Sequence, residues 1–240
     1  GDETDGGNLS VSGEGDFSRK IGTEGRVLRT RINRDGYSIK TKDKAVISAY
    51  ASNIYSTGSA IMGGSGHIIS GDFDLIGGGA LNNISGCDYA FIGGGTDIDV
   101  IDSSYSSSIG GYNNDISGSS YSVIGGGQNN SIESGFSNYI GGGEGNLITG
   151  ANSFIGGGNT NKVLRDYSFV GAGQENIASG DFSIIIGGEN NKTFGSYSVI
   201  AGGEENTISG LRSFIGGGHL NEVSSEYSYA FGRQAKITAS

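Results

Sequence analysis

The sequence predicts an all-β fold: a parallel β-roll, or β-solenoid, of about twelve short coils. Three observations lead to this prediction. Gly supplies 48 of the 240 residues, and Pro is absent. Pairs of apolar residues recur every 15 or 16 residues through most of the chain. A unit of that length cannot bury a core of its own, so neighbouring units have to stack and share one.

The repeat is defined by one mostly apolar column, whose members we number position zero: Ile61, Ile76, Ile92, Ser108, Ile124, Ile140, Ile155, Val170, Ile185, Ile200, Ile215 and Ala230. Position −1 is usually apolar, and so is position +8. These two apolar stretches predict two short strands in each coil. The repeat domain extends over residues 46–240, with a degenerate first coil that begins at Val46.

Glycine and asparagine occupy fixed places in the repeat. Positions +2 and +3 are Gly in nearly every coil, and position +6 is Asn in nine coils. Gly adopts positive φ and lets chains approach closely. Asn tolerates the left-handed region, which suits a corner, and stacked Asn residues can form a side-chain ladder. We therefore predict a structural ladder of Asn146, Asn161, Asn176, Asn191, Asn206 and Asn221.

The strand at position zero predicts an oligomer. Successive strand residues point to opposite faces, and here positions −1 and zero are both apolar. A narrow coil buries only one of the two rows, and the other becomes an exposed stripe that a monomer rarely carries. Three copies side by side would cover that stripe and close the contact. We assign the interface of a homotrimer to Phe154, Phe169, Ile184, Val199 and Phe214. The alternative is a broader monomeric solenoid that encloses both rows.

The repeat resembles that of trimeric autotransporter adhesin heads (YadA-like heads), and similar repeats occur in phage-type trimeric tail fibres. The resemblance rests on segments such as Ser213–Ser225, in which Ile-Gly-Gly-Gly precedes Asn221, and on Tyr227–Lys236 at the end of the array. It implies a left-handed parallel β-roll with three chains side by side. It also implies an extracellular location, on a bacterial cell surface or a virion fibre. This chain departs from the family in having a slightly longer repeat, with Gly where the family has Ala.

Residues 1–45 do not follow the repeat. Nine of the fifteen basic residues lie in the first 44 positions. The segment Arg34-Asp35-Gly36 predicts the turn of a β-hairpin between two strand-like stretches. Because a repeat array needs a cap on its first coil, we interpret residues 1–45 as an N-terminal cap or connector. A receptor site in this segment is the alternative.

Charge and residue types argue against several functions. From residue 45 onward there are 17 acids against 6 bases, which argues against nucleic-acid binding. No apolar stretch approaches the length of a membrane span, so we expect no membrane insertion by this segment.

The two histidines, His67 and His219, lie in different coils, and Cys87 is alone. We therefore expect no catalytic residues, no enzyme activity, no cofactor and no bound metal. Stacked acids such as Glu189 and Glu204 are interpreted as a solvated face rather than a Ca²⁺ site.

The 16-residue coils contain the candidate ligand-binding residues. Their extra residues are expected at corners, where insertions into solenoids form exposed loops. Tyr beside Ser and Asn suits polar or glycan ligands. The candidates are Asp102, Tyr105, Tyr121 and Phe136.

The predicted function is that of a trimeric fibre or adhesin head module. Such a module attaches to a ligand on a host or prey cell surface, with glycans among the candidates, or spaces a receptor-binding tip. The alternative is a β-solenoid that binds an ordered lattice such as ice. A glycan hydrolase carried on a fibre is a further, weaker alternative.

Overall fold

The computed structural model describes residues 46, 47 and 49–238. These residues form a β-solenoid of about twelve turns in which short strands alternate with turns and no helix occurs. Among the described residues, no helix long and apolar enough to cross a membrane is found. The predicted hairpin around Arg34-Asp35-Gly36 lies outside the described residues.

Two parallel sheets of thirteen strands each run the length of the solenoid. The first, sheet A, contains the odd-numbered strands: β1 Val46–Ile47, β3 Ala60–Ile61, β5 Leu75–Ile76, β7 Phe91–Ile92, β9 Ser107–Ser108, β11 Val123–Ile124, β13 Tyr139–Ile140, β15 Phe154–Ile155, β17 Phe169–Val170, β19 Ile184–Ile185, β21 Val199–Ile200, β23 Phe214–His219 and β25 Tyr229–Arg233. The predicted first coil at Val46 therefore begins with a strand of sheet A.

The second, sheet B, contains the even-numbered strands: β2 Asn53–Ile54, β4 Ile68–Ile69, β6 Asn83–Ser85, β8 Asp99–Ile101, β10 Asp115–Ser117, β12 Ser131–Glu133, β14 Leu147–Ile148, β16 Lys162–Val163, β18 Ile177–Ala178, β20 Lys192–Thr193, β22 Thr207–Ile208, β24 Glu222–Val223 and β26 Lys236–Ile237. Each coil thus supplies one strand to each sheet, at the two positions that the apolar pattern predicts.

Equivalent residues of successive coils lie directly above one another. On sheet A, for example, Phe154 pairs with Phe169 and Ile155 with Val170. On sheet B, Ile148 pairs with Val163. This in-register stacking converts every repeat position into a continuous column, since parallel strands hydrogen-bond along their whole length.

The interior consists of two apolar and two polar columns. From Ile61 to Ala230, residues at position zero are buried, and from Ile69 to Val223 so are those at position +8; Ala230 at 3% is the most exposed of them. Residues at position −2, mostly Ser, and at position +6, mostly Asn, are buried beside them. Position −1 instead points outward: in β15, Phe154 is half-buried while Ile155 is fully buried. The alternative prediction, a broader solenoid that encloses both rows, is therefore wrong.

The buried Asn column is a hydrogen-bonded ladder. The Oδ1 of Asn176 accepts the backbone N–H of Asn191 at 3.1 Å, and the Oδ1 of Asn191 accepts that of Asn206 at 3.1 Å. The Nδ2 of Asn191 also donates to the carbonyl of Gly187 in its own coil and of Gly203 in the next coil. The same bonds recur at the other five predicted ladder positions: Asn146, Asn161, Asn176, Asn206 and Asn221.

Asn does not occupy the left-handed corner that the sequence suggested for it. The residue at position +5, directly before it, has φ between +49° and +72°, as at Asn129, Thr160 and Glu175. Position +3 is left-handed as well and is Gly in the eleven coils from Gly64 to Gly218, with φ between +88° and +107°. Asn instead turns its amide inward, because the carbonyls of this tight corner need buried donors.

The extra residue of the 16-residue coils lies exposed at a corner, as predicted. The extra residues are Gly86, Asp102, Gly118 and Ser134, each with φ between +49° and +67°. Cys87, Ser103 and Ser119 point into the coil and are at most 1% exposed. The adjoining strands β6, β8 and β10 are three residues long rather than two. The added residue thus lies on the outside of the corner, and in these three coils the residue that follows it points inward.

Replacing Gly95 by Ala should destabilise the solenoid, whereas replacing Gly94 should not. At Gly95 φ is +104°, and an added Cβ would collide with the backbone carbonyl of Gly111. At Gly94 an added Cβ would meet no atom within 4 Å. Loss of at least about 2 kcal/mol is expected for Gly95→Ala. Chemical denaturation followed by circular dichroism measures it, and equal midpoints for the two variants would contradict the prediction.

Replacing Asn191 by Ala should cost about 2–4 kcal/mol, because the backbone N–H of Asn206 and two Gly carbonyls lose buried partners. Asn159→Ala is the matched control, since Asn159 lies outside the ladder and is half-exposed. The free energies of unfolding of both variants decide the matter. If the ladder contributed nothing to stability, both variants would have the wild-type free energy of unfolding.

Candidate functional site

The outward face of sheet A carries an unpartnered apolar row. The predicted interface residues all lie on it and are half-buried: Phe154, Phe169, Ile184, Val199 and Phe214. The rings of Phe154 and Phe169 stack with centroids 5.1 Å apart. Ile109 and Ile186, two residues further along their coils, add side chains that are 57% and 55% exposed. The row continues over many coils, so it amounts to an extended apolar stripe.

The outward face of sheet B has a different character. Its outward position is occupied in chain order by Asn53, Ile68, Asn83, Asp99, Asp115, Ser131, Leu147, Lys162, Ile177, Lys192, Thr207, Glu222 and Lys236. Most of these side chains are polar or charged. The two sheets have similar interiors but unequal exteriors, so only sheet A presents a face that water solvates poorly.

Beside the apolar row runs a column of glycines at position +2. Five of them have φ between +132° and +158°, which favours glycine: Gly126, Gly142, Gly157, Gly202 and Gly217. At other levels the coil itself does not require glycine. An added Cβ at Gly78 or Gly94, both at position +2, would meet no atom within 4 Å. At Gly110 the nearest atom would be 3.9 Å away. Ala172 occupies the same column, which shows that the coil accepts a side chain there. The glycine column leaves a strip of half-buried backbone without side chains next to the stripe.

Aromatic residues at position −3 form a second exposed column, along one corner. Phe73, Tyr89, Tyr105 and Tyr121 stack face to face with centroids 5.0–5.1 Å apart. Tyr167, Phe182 and Tyr197 continue the column at 4.7 and 4.9 Å. All seven have positive φ, so the backbone of the corner turns these rings outward. The eightfold recurrence of an aromatic residue at this position was visible in the sequence, but stacking was not predicted from it.

The structure separates the four predicted ligand-binding residues into different environments. Both ring faces of Tyr105 are covered, by Tyr89 and Tyr121. Tyr121 is 60% exposed, and Phe136, on the next coil, is 50% exposed. Asp102 is exposed at a left-handed position directly before the buried Ser103. Tyr121 and Phe136 thus lie on successive coils, whereas Tyr105 offers only its ring edge and hydroxyl.

The histidines and the cysteine have separate surroundings. His67 is fully buried at an Asn-ladder position, where its Nδ1 accepts the backbone N–H of Asn82 at 3.2 Å. Burial lowers the pKa of His67, whose side chain is enclosed within the coil. Burial raises the pKa of the Cys87 thiol to about 11.

One group of side chains in the described part of the chain has potential metal-ligand atoms within 4.8 Å of one another: Glu204, Glu205 and His219. We assign no ion to this group, whose two acids are exposed.

Several carboxyl groups are partly or fully buried. Asp74, at position −2, is 1% exposed; its Oδ1 accepts the N–H of Ala90 at 2.7 Å, and its Oδ2 has no partner among the described residues. Burial raises the pKa of Asp74 to about 7. Asp99 and Asp115 are register partners on sheet B, and burial together with the neighbouring Asp99 raises the pKa of Asp115 to about 6. These stacked acids lie on an open sheet face.

Comparison with known proteins does not add a family. No protein-family model matches the chain, and no match was found among curated proteins.

Asp74 should make the solenoid less stable as the pH rises from about 4 to about 7. Its pKa is raised from 3.8 to about 7 in the folded chain. The folded state therefore holds a proton that the unfolded chain releases, and stability is lost between the two pKa values, by up to about 4 kcal/mol. Asp74→Asn should flatten this dependence and raise stability above pH 7. Asn138 shows that Asn fits the equivalent position, where its Oδ1 accepts the N–H of Ser153.

Asp72→Asn is the matched control, because Asp72 is exposed two residues away. Denaturation midpoints measured from pH 4 to pH 8 compare the three proteins. A pH profile that Asp74→Asn leaves unchanged would contradict the burial argument.

Proposed function

We propose that this chain is a left-handed parallel β-roll that assembles side by side as a homotrimer. We propose further that it serves as a fibre or adhesin head module, which attaches to a cell-surface ligand or spaces a receptor-binding tip. The location that fits this role is extracellular, on a bacterial cell surface or a virion fibre. The resemblance to trimeric adhesin heads favours the same arrangement.

The observation that carries the proposal is the inequality of the two outer faces. Sheet A exposes a stripe that includes Phe154, Phe169 and Ile184, whereas sheet B exposes polar residues at most equivalent places. A monomer would gain solubility from polar residues on both faces. An apolar stripe along one face alone is what a permanent neighbour on that face requires. Three-fold closure covers the stripe on every chain and leaves sheet B in water.

The bare glycine column supports close approach of that neighbour. Steric contacts within the coil explain why Gly95, at position +3, has no side chain, but they do not explain the same for Gly94. At Gly78, Gly94 and Gly110, a second chain lying against position +2 supplies the missing reason, because backbone without side chains lets two chains pack at short range. The apolar stripe and the glycine column occupy the same side of each coil.

A lattice-binding role has less support. It needs an identical outward residue repeated at the coil spacing. The outward column of sheet B changes from Lys192 to Thr207 to Glu222 in three successive coils. We therefore favour the trimeric attachment module.

Ile184→Glu should convert the trimer into a monomer without unfolding the coil. Ile184 lies on the outer row of sheet A, so a carboxylate there would be buried unpaired in the assembly. Ile177→Glu is the control: it makes the same change on sheet B, between Lys162 and Lys192. Light scattering coupled to size-exclusion chromatography should give the mass of three chains for the wild type and Ile177→Glu, and of one chain for Ile184→Glu. A wild-type monomer would overturn the proposal.

A further inference from the structure

The aromatic column on the corner is interrupted for two coils. Position −3 is Ser137 and then Asn152, between Tyr121 on one side and Tyr167 on the other. Among the described residues, Tyr121 stacks only on Tyr105, and Tyr167 stacks only on Phe182. Each of the two therefore turns one uncovered ring face toward the interruption. We call the space between these two faces the notch.

The notch results from side-chain size, not from a change in the backbone. φ is +56° at Ser137 and +54° at Asn152, against +60° at Tyr121 and +56° at Tyr167. The coils stay in register there, since Tyr139 pairs with Phe154 and Phe154 with Phe169. Three coil rises separate the two ring faces, or about 14 Å. Two flat groups stacked at the spacing of the column would fill that length.

The chain itself shows which kind of group fills a vacancy in this column. One coil beyond Tyr197, position −3 is Arg212 instead of an aromatic residue. The guanidinium of Arg212 lies over the Tyr197 ring at 5.4 Å and over the Tyr227 ring at 5.6 Å. Its Nη1 also donates a hydrogen bond to the Tyr227 hydroxyl at 3.1 Å. A planar cation between two Tyr rings is thus accommodated by this corner.

Charge favours the same kind of group at the notch. Asp166 directly precedes Tyr167, and Glu133 lies four residues before Ser137 on the same coil; both are exposed. Arg165 is the basic residue next to them. Phe136, 50% exposed, adds apolar surface at the edge of the notch. Glu133 and Asp166 against Arg165 leave a formal charge of −1 beside the notch, which favours a cation over an anion.

We infer that the notch binds arginine side chains of a protein partner, one guanidinium against Tyr121 and a second against Tyr167. Ser137 and Asn152 supply a hydroxyl and an amide that can accept hydrogen bonds from the guanidinium N–H groups. The site is complete within one chain, so it does not depend on the proposed trimer. Its failure would leave the trimer proposal standing.

The probe is a blocked Arg-Gly-Arg peptide, titrated into the full chain while NMR follows the ring signals of Tyr121 and Tyr167. Signals are assigned from the variants Tyr121→Phe and Tyr167→Phe. We expect saturable shifts at both rings with a dissociation constant of roughly 1–10 mM, as suits one or two exposed cation–π contacts. The same peptide with citrulline in place of arginine keeps the shape, loses the charge and should bind at least about tenfold more weakly.

The double variant Ser137→Tyr and Asn152→Tyr closes the notch by completing the column. The backbone of both positions already matches that of the Tyr-bearing coils, so this variant should fold, with an unfolding midpoint at or above that of the wild type. It should show no saturable shift with the arginine peptide. Should it fail to fold, Ser137→Tyr alone covers the Tyr121 face and should abolish the shift at that ring only.

Three results would overturn the assignment. The first is the absence of saturable shifts in the wild type. The second is that the arginine peptide binds the double variant as tightly as the wild type. The third is that the citrulline peptide binds the wild type as tightly as the arginine peptide does. Oligosaccharides titrated in parallel test whether the notch binds a glycan instead. Shifts at Tyr121 and Tyr167 with a sugar, and none with the arginine peptide, would assign the notch to a glycan.

Discussion

The amide ladder of the Asn column is the interaction on which the rest of the structure depends. A coil of 15 residues has to turn sharply after the strand of sheet A, and the Gly residues that permit the turn leave their carbonyls facing the interior. Each Asn donates to one such carbonyl in its own coil and to one in the next, and accepts the backbone N–H of the next Asn. Without these bonds the corner would bury several unpaired polar groups, each at a cost of about 1–3 kcal/mol. The triple glycine and the Asn that follows it are therefore one structural device.

Because the interior repeats so strictly, variation is confined to the outside of the coil. The two apolar columns and the Ser and Asn columns are nearly the same at every level. The outward positions differ in kind: an apolar stripe on sheet A, polar residues on sheet B, and aromatic rings along one corner. These three surfaces support different interactions, and each is carried by the same backbone. The proposed assembly uses the first, and the proposed arginine site uses the third.

The sequence predicted most of the interior and less of the corners. The period, both strands of each coil, the inward direction of position zero and the outward direction of position −1 follow from apolar spacing alone. The left-handed residue at position +5 did not, because Leu, Glu, Asp and Asn all occur there and no composition signal marks it. The exposed extra residue of the longer coils was predicted, but the inward direction of the residue after it, as at Cys87 and Ser103, was not. The notch could not be predicted at all, since an interruption has meaning only once the rings on either side are known to stack.

The ladder has a consequence for the length of the rod. Every coil presents to the coil above the same donors and acceptors that it presents to the coil below, as Asn176, Asn191 and Asn206 do in turn. Excision of one complete coil would therefore bring together two surfaces that already match. The rod can be shortened or extended in steps of about 4.8 Å while its bonding stays intact. Its length is thus a quantity that duplication and deletion of single coils can adjust, independently of what its surfaces bind.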